Sequence, residues 1–98
     1  MLHIVNKSPL EKPTLDSAVR LAAGGTLLLI EDAVYAATRG NAGEAKVRQA
    51  MAKLKVCALM PDLQARGVAD RLIDGVAAVD YDGFVDLVVE HKNCQSWL

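Results

Sequence analysis

The chain is 98 residues long, 52% hydrophobic but only 4% aromatic, and carries eleven basic and twelve acidic side chains for a net charge of -1. That length supports a single core, so residues 1–98 are expected to form one domain, burying roughly two-thirds of the surface its unfolded chain exposes. The near-neutral charge excludes the basic stripe that a direct nucleic-acid ligand calls for, and no apolar run approaches the ~20 residues of a membrane span.

In chain order, apolar runs alternate with helical patterns. This predicts parallel β–α units: a single small three-layer α/β domain with a mainly parallel, four- to five-stranded sheet flanked by helices. The first strand is expected over Leu2 to Val5, with Asn6-Lys7-Ser8-Pro9 leaving it as a loop that Pro9 and Pro13 keep non-helical. Thr14 is expected to cap a helix in which Leu15, Ala18, Val19 and Ala22 recur at helical spacing, and Gly24-Gly25 to end it. Leu27 to Ile30 is apolar without alternation, as a strand covered on both faces should be. Glu31 and Asp32 then open a helix to about Thr38, their carboxylates meeting the positive end of its dipole. Arg39 to Gly43 breaks that helix, and Glu44 to Lys53 predicts another with Val47, Ala50 and Met51 turned inward.

Leu54 to Met60 is the third strand. Pro61 opens a short helix, where its missing N–H costs nothing, and Arg66-Gly67 closes it. Val76 to Val79 is the fourth strand. Asp80 caps a last helix through His91, with Phe84, Leu87 and Val88 on its inner face and Val85 and Val89 widening that face. Gln95-Ser96-Trp97 is expected as a fifth, edge strand.

Open α/β sheets bind ligands at the carboxyl ends of their strands, and Glu31, Asp32, Asp62, Asp80 and Asp82 all fall there. Together they have the oxygen chemistry of a magnesium site. Each also begins a helix, however, and the first strand ends in Asn6-Lys7 without a carboxylate, so capping is the preferred reading and no metal is expected. No G-x-G-x-x-G or P-loop follows the first strand, so no nucleotide cofactor is expected, and Ser8 lacks the setting of a nucleophile elbow. His3 in a strand and His91 at a helix end read as structural, and Lys46, Arg48, Lys53 and Lys55 as the solvated face of a helix and its exit.

Met1 to Asn6 does not read as a signal peptide, lacking a basic lead-in and a long enough apolar run. Cys57 and Cys94 lack C-x-x-C spacing, so neither a zinc site nor a disulfide framework follows, and a cytoplasmic chain with free thiols is expected. Cys57, inside an apolar strand, should behave as a small hydrophobe with a raised pKa. Cys94 is the candidate for an accessible thiol, with Lys92 as its one evident cationic neighbour. So apolar a short chain also favours burial against partner subunits.

The segments LHIVNKSP (2–9), LLLIEDAVYAA (27–37), VCALMPDLQARG (56–67), VDYDGFVDLVVEH (79–91) and QSWL (95–98) together resemble the TusB/DsrH family, in order and with similar spacing over nearly the whole chain. The combination of P-D-L-x-A-R-G, D-Y-x-x-F-V-D-L and the terminal Q-S-W-L is the specific part. The resemblance implies a small parallel α/β fold and a heterohexamer with TusC/DsrF-like and TusD/DsrE-like sister subunits. Such complexes pass persulfide sulfur between cysteines, through a TusE-like acceptor towards 2-thiouridine at the tRNA wobble position, or with a DsrC-like partner in sulfur oxidation. It also implies that the main carrier cysteine belongs to the TusD/DsrE-like subunit. Some DsrH members carry their own cysteine in the first helix, and by register that place is Ala18 here; Cys57 and Cys94 do not match it.

The expectation is therefore a non-catalytic supporting subunit of a sulfur-relay complex. Two rivals remain open: a sulfur-carrying subunit using Cys94, and an unrelated magnesium-dependent enzyme built on the strand-end acids.

Overall fold

Five short strands form the scaffold: β1 (Leu2–Val5), β2 (Thr26–Leu29), β3 (Lys55–Leu59), β4 (Ala77–Val79) and β5 (Cys94–Trp97). The structure is a computed structural model that describes residues 1–8, 14–21, 24–40, 43–91 and 93–97, with the backbone alone for Thr14 and Leu21. The expectations for Pro9, Pro13, Ala22 and Lys92, and for a capping side chain at Thr14, lie outside the described residues. Every neighbouring pair of strands is parallel, and the sheet order is β4-β3-β2-β1-β5.

That order sets where the helices must lie. The chain steps from β1 to β4 in one direction, through α1 (Thr14–Leu21), a 3₁₀ helix (Glu31–Ala37), α2 (Glu44–Ala50), α3 (Met60–Ala65) and a short 3₁₀ turn (Ala69–Arg71). It then returns from β4 to β5 across the whole sheet through α4 (Tyr81–Glu90). With one crossover hand, a reversal of direction puts the returning helix on the opposite face. The pleat sorts the side chains accordingly. Val5, Leu27, Leu29, Val56 and Ala58 share one core with Leu15, Ala18, Val47, Ala50 and Leu63 from the helices. Leu2, Leu28 and Cys57 face the other way and meet Leu87 of α4, with Ile4, Ile30, Val79 and Phe84 half-buried around them. Three layers result, one thick and one thin.

Several boundaries depart from expectation for local reasons. The expected helix from Glu31 is present over Glu31–Ala37 as a 3₁₀ helix. Its buried residues Ala33/Ala36 and Val34/Ala37 are spaced by three, which a helix of three residues per turn aligns into two rows. The helix expected to reach Lys53 ends at Ala50; its last turn tightens as Ala52 N–H donates to Gln49 O at 3.2 Å and Lys53 N–H to Ala50 O at 3.0 Å. Met60 begins α3 and does not extend β3. Gly25 (φ 99°) sits where β1 and β2 begin, and a Cβ there would collide with the Met1 carbonyl, which accepts from Thr26 N–H at 3.2 Å.

The last helix needs the largest correction. Leu87 is buried and Phe84 half-buried, but Val88, expected on the inner face, is exposed, and so are Val85 and Val89, which therefore do not widen that face. Among the described helices α4 alone covers this side of the sheet, and a lone helix touches a flat surface along one narrow line of i, i+3 residues.

Candidate functional site

At the carboxyl ends of β2 and β3, one arginine ties the strands together. Arg66, which follows α3, donates from Nε and Nη2 to Oδ1 of Asp32 at 3.0 and 2.9 Å. Its Nη1 donates to the Asp62 carbonyl at 3.4 Å and lies 3.8 Å from Asp62 Oδ1. The other Asp62 oxygen accepts the backbone N–H of Glu31 at 2.6 Å. Glu31 has φ 50°, in the left-handed region that non-glycine residues seldom adopt, and the Asp62 carboxylate pins its amide.

The P-D-L-x-A-R-G segment has a physical account in these contacts. Pro61 lies in the first turn of α3, Asp62 reaches the neighbouring strand end, Leu63 is buried, Arg66 closes the clamp, and Gly67 takes φ 67° beyond it. Arg66 was read from sequence only as a helix terminator. The available signal was its i, i+4 spacing from Asp62, but its longer reach to Asp32 depends on β2 and β3 being neighbours.

Of the five strand-end acids, Glu31, Asp32 and Asp62 gather here, while Asp80 and Asp82 belong to α4. Capping holds at Asp80, whose Oδ1 accepts Gly83 N–H at 2.8 Å. Glu31, Asp32 and Asp62 stand in the first turns of their own helices, where a carboxylate meets the positive end of the dipole, although the N-cap positions there, Ile30 and Leu59, make no side-chain cap hydrogen bond. Two of these acids also bind outside their own helix: Arg66 takes Asp32, and Asp62 serves the adjacent 3₁₀ helix through Glu31. Among the described residues no group of three or more His, Cys, Asp or Glu side chains is placed to hold a metal ion. A guanidinium already shared by two carboxylates acts as a structural clamp.

The thiols lie far apart in character. Cys57 is fully buried between the sheet and α4, and burial raises its pKa, against a smaller opposing effect of Lys55. A thiol so placed stays protonated and inert. Cys94 is exposed at the start of edge strand β5, opposite Leu2 of β1. Ala18 is fully buried in the larger core.

The terminal Q-S-W segment also has its explanation. Trp97 packs on the larger core, and its Nε1 donates to Nδ1 of the buried His3 at 3.2 Å, their rings 6.3 Å apart. His3 must then carry its proton on Nε2. Burial lowers its pKa, helped by the N-terminal charge and by His91. His91, after α4, lies 3.1 Å from Thr26 Oγ1 through Nε2. Lys46 pairs with Asp16 at 2.7 Å and Arg48 with Glu44 at 2.8 Å, the two basic residues lying on a solvated face as expected. At the end of β1, where the chain's two directions across the sheet diverge, Asn6 Oδ1 is buried without a hydrogen-bond partner among the described residues. No described helix is long and apolar enough to cross a membrane.

A family model described as DsrH like protein matches residues 7–94. Over 97 residues the chain is 37% identical to Protein TusB of Escherichia coli O81, covering 99% of this chain and all of that one. It is 36% identical to Protein TusB of Shigella flexneri over the same length. Among solved structures, the ychN protein from E. coli superposes with a TM-score of 0.77 at 20% identity, covering 97% of both chains. A protein of unknown function from Methanobacterium thermoautotrophicum superposes at 0.73, also at 20% identity, covering 97% of this chain and 95% of that one. At that identity the two structures speak for the fold alone.

Proposed function

The chain belongs to the DsrH-like protein family, and on that footing we propose that it is a supporting subunit of a sulfur-relay complex. It acts as one domain over residues 1–98, beside TusC/DsrF-like and TusD/DsrE-like subunits in a heterohexamer, with a TusE/DsrC-like protein as sulfur acceptor. The full-length likeness to proteins named TusB favours the branch that delivers sulfur towards 2-thiouridine at the tRNA wobble position over the sulfur-oxidation branch.

The observation that carries the supporting role is the absence of a usable thiol at the first helix. A persulfide carrier needs an accessible sulfur whose thiolate is favoured. Ala18 supplies none and sits in the core, and Cys57 is buried with its thiol held protonated. The chain's work is then assembly, and the carrier cysteine belongs to the TusD/DsrE-like subunit. Co-expression with both sister subunits, followed by sizing, tests the assembly. A chain that remains alone in their presence refutes it.

A second reading makes Cys94 a sulfur carrier, and the exposure of that thiol speaks for it. It requires a persulfide on Cys94 after loading with a cysteine desulfurase, and loss of transfer when Cys94 is replaced.

A further inference from the structure

Helix α4 is two-sided in an unusual way. Leu87 and Phe84 hold it to the sheet, while Tyr81, Val85 and Val89, spaced by four, form a line on its outer side at 60%, 60% and 80% exposure, with Val88 beside them at 44%. Valine is a poor choice for an exposed helical position, because its branched side chain loses rotamer freedom against the preceding turn. Three valines so exposed cost helix stability and gain little from packing among the described residues. The sheet face under this helix is thinly covered too, leaving Ile4, Ile30 and Val79 half-buried around Leu87.

A row of charge edges this line. Asp82, Asp86 and Glu90, also spaced by four, are exposed next to it, and none of them forms an ion pair among the described residues. No Lys or Arg occurs between Tyr81 and Glu90. A second copy meeting this one helix to helix would bring three more carboxylates and no cation. Antiparallel two-fold packing would set the two acidic rows side by side, where like charges disfavour the contact.

We infer that the outer face of α4 is the docking surface for a different subunit, whose contact face is apolar with a rim of lysine or arginine. This rests on the proposed place of the chain in a multi-subunit complex and assigns the surface through which it joins. Apolar side chains would supply the affinity, and the acidic row the partner choice and orientation.

The test uses the full chain with co-expressed TusC-like and TusD-like subunits from the same organism, read by sizing and by titration at low and high salt. The double variant Val85→Asp, Val89→Asp changes only exposed positions, so circular dichroism of the isolated chain should match wild type. Assembly should weaken about a hundredfold, about tenfold for each valine no longer buried. The triple variant Asp82→Lys, Asp86→Lys, Glu90→Lys should weaken assembly about tenfold, and its residual binding should no longer fall as salt rises. If wild type assembles and both variants bind within about twofold of it, the surface is wrong while the subunit reading stands. If wild type binds neither sister subunit, both fall. If wild type alone forms a dimer that the double variant abolishes, the occupant is a second copy and the proposal is overturned.

Discussion

Replacing Arg66 with alanine removes the clamp between the ends of β2 and β3 and little else. Three hydrogen bonds go: two to Asp32 Oδ1 at 3.0 and 2.9 Å, and one to the Asp62 carbonyl at 3.4 Å. In a sheltered site each charge-assisted bond contributes ~1.5–3 kcal/mol, and an exposed pair only ~0.2–1 kcal/mol. The Arg66 and Asp62 side chains are 22% and 19% exposed, but that of Asp32 is 45% exposed, so the pair lies nearer the surface limit. The net loss should be about 1–2 kcal/mol, because the longest bond is marginal and the Asp32 carboxylate regains water. For a domain of this size that lowers the melting midpoint by about 5–15 °C. Urea unfolding should show a lower midpoint at unchanged slope. A double-mutant cycle with Asp32→Asn should return a coupling of at least about 0.5 kcal/mol. A midpoint within about one degree of wild type, or no coupling, would refute the clamp.

Two other perturbations follow from burial. Leu87→Ala should cost about 2–4 kcal/mol in urea unfolding, and Phe84→Ala, only half-buried, about 1–3 kcal/mol; a larger loss for Phe84 would contradict the packing of α4. His3 has a folded-state pKa below its ordinary 6.5, so on acidification the unfolded chain takes up the proton first. Its contribution is complete above pH 6.5 and is lost as pH falls from there through the folded value. Urea midpoints should therefore drop between about pH 7.5 and about pH 5.5, and the drop should shrink in His3→Gln; a wild-type midpoint that rises on acidification contradicts the burial of His3.

The strands were the most legible part of the sequence because parallel, doubly covered strands are uninterrupted apolar runs. Leu2–Val5 falls where expected, and β2, β3 and β4 lie within one residue at each end. The edge strand at Gln95 to Trp97 was also visible, but its partner was not: pairing with β1 follows from α4 crossing the opposite face, which no local pattern encodes. The element at Glu31 was legible as a helix but not as a 3₁₀ helix, because carboxylates in a first turn suit either kind. Val85 and Val89 misled for a related reason. Apolar residues fill so much of α4 that periodicity alone cannot say which part meets the sheet. The Arg66 clamp and the His3–Trp97 bond join residues 34 and 94 positions apart. Both emerge only once the strand order is known, and both account for segments that carried the family resemblance.

The supporting-subunit role is tested most directly by sulfur loading of the assembled complex with Cys57→Ala, Cys94→Ala introduced in this chain. Labelled sulfur from a cysteine desulfurase would be followed by intact mass, subunit by subunit. Transfer to the acceptor should continue nearly unchanged, with the persulfide on the TusD/DsrE-like subunit, because Cys57 is buried and Ala18 offers no sulfur. One added sulfur atom on the wild-type chain, absent when Cys94 alone is replaced and accompanied by loss of transfer, would contradict the account and make Cys94 the carrier.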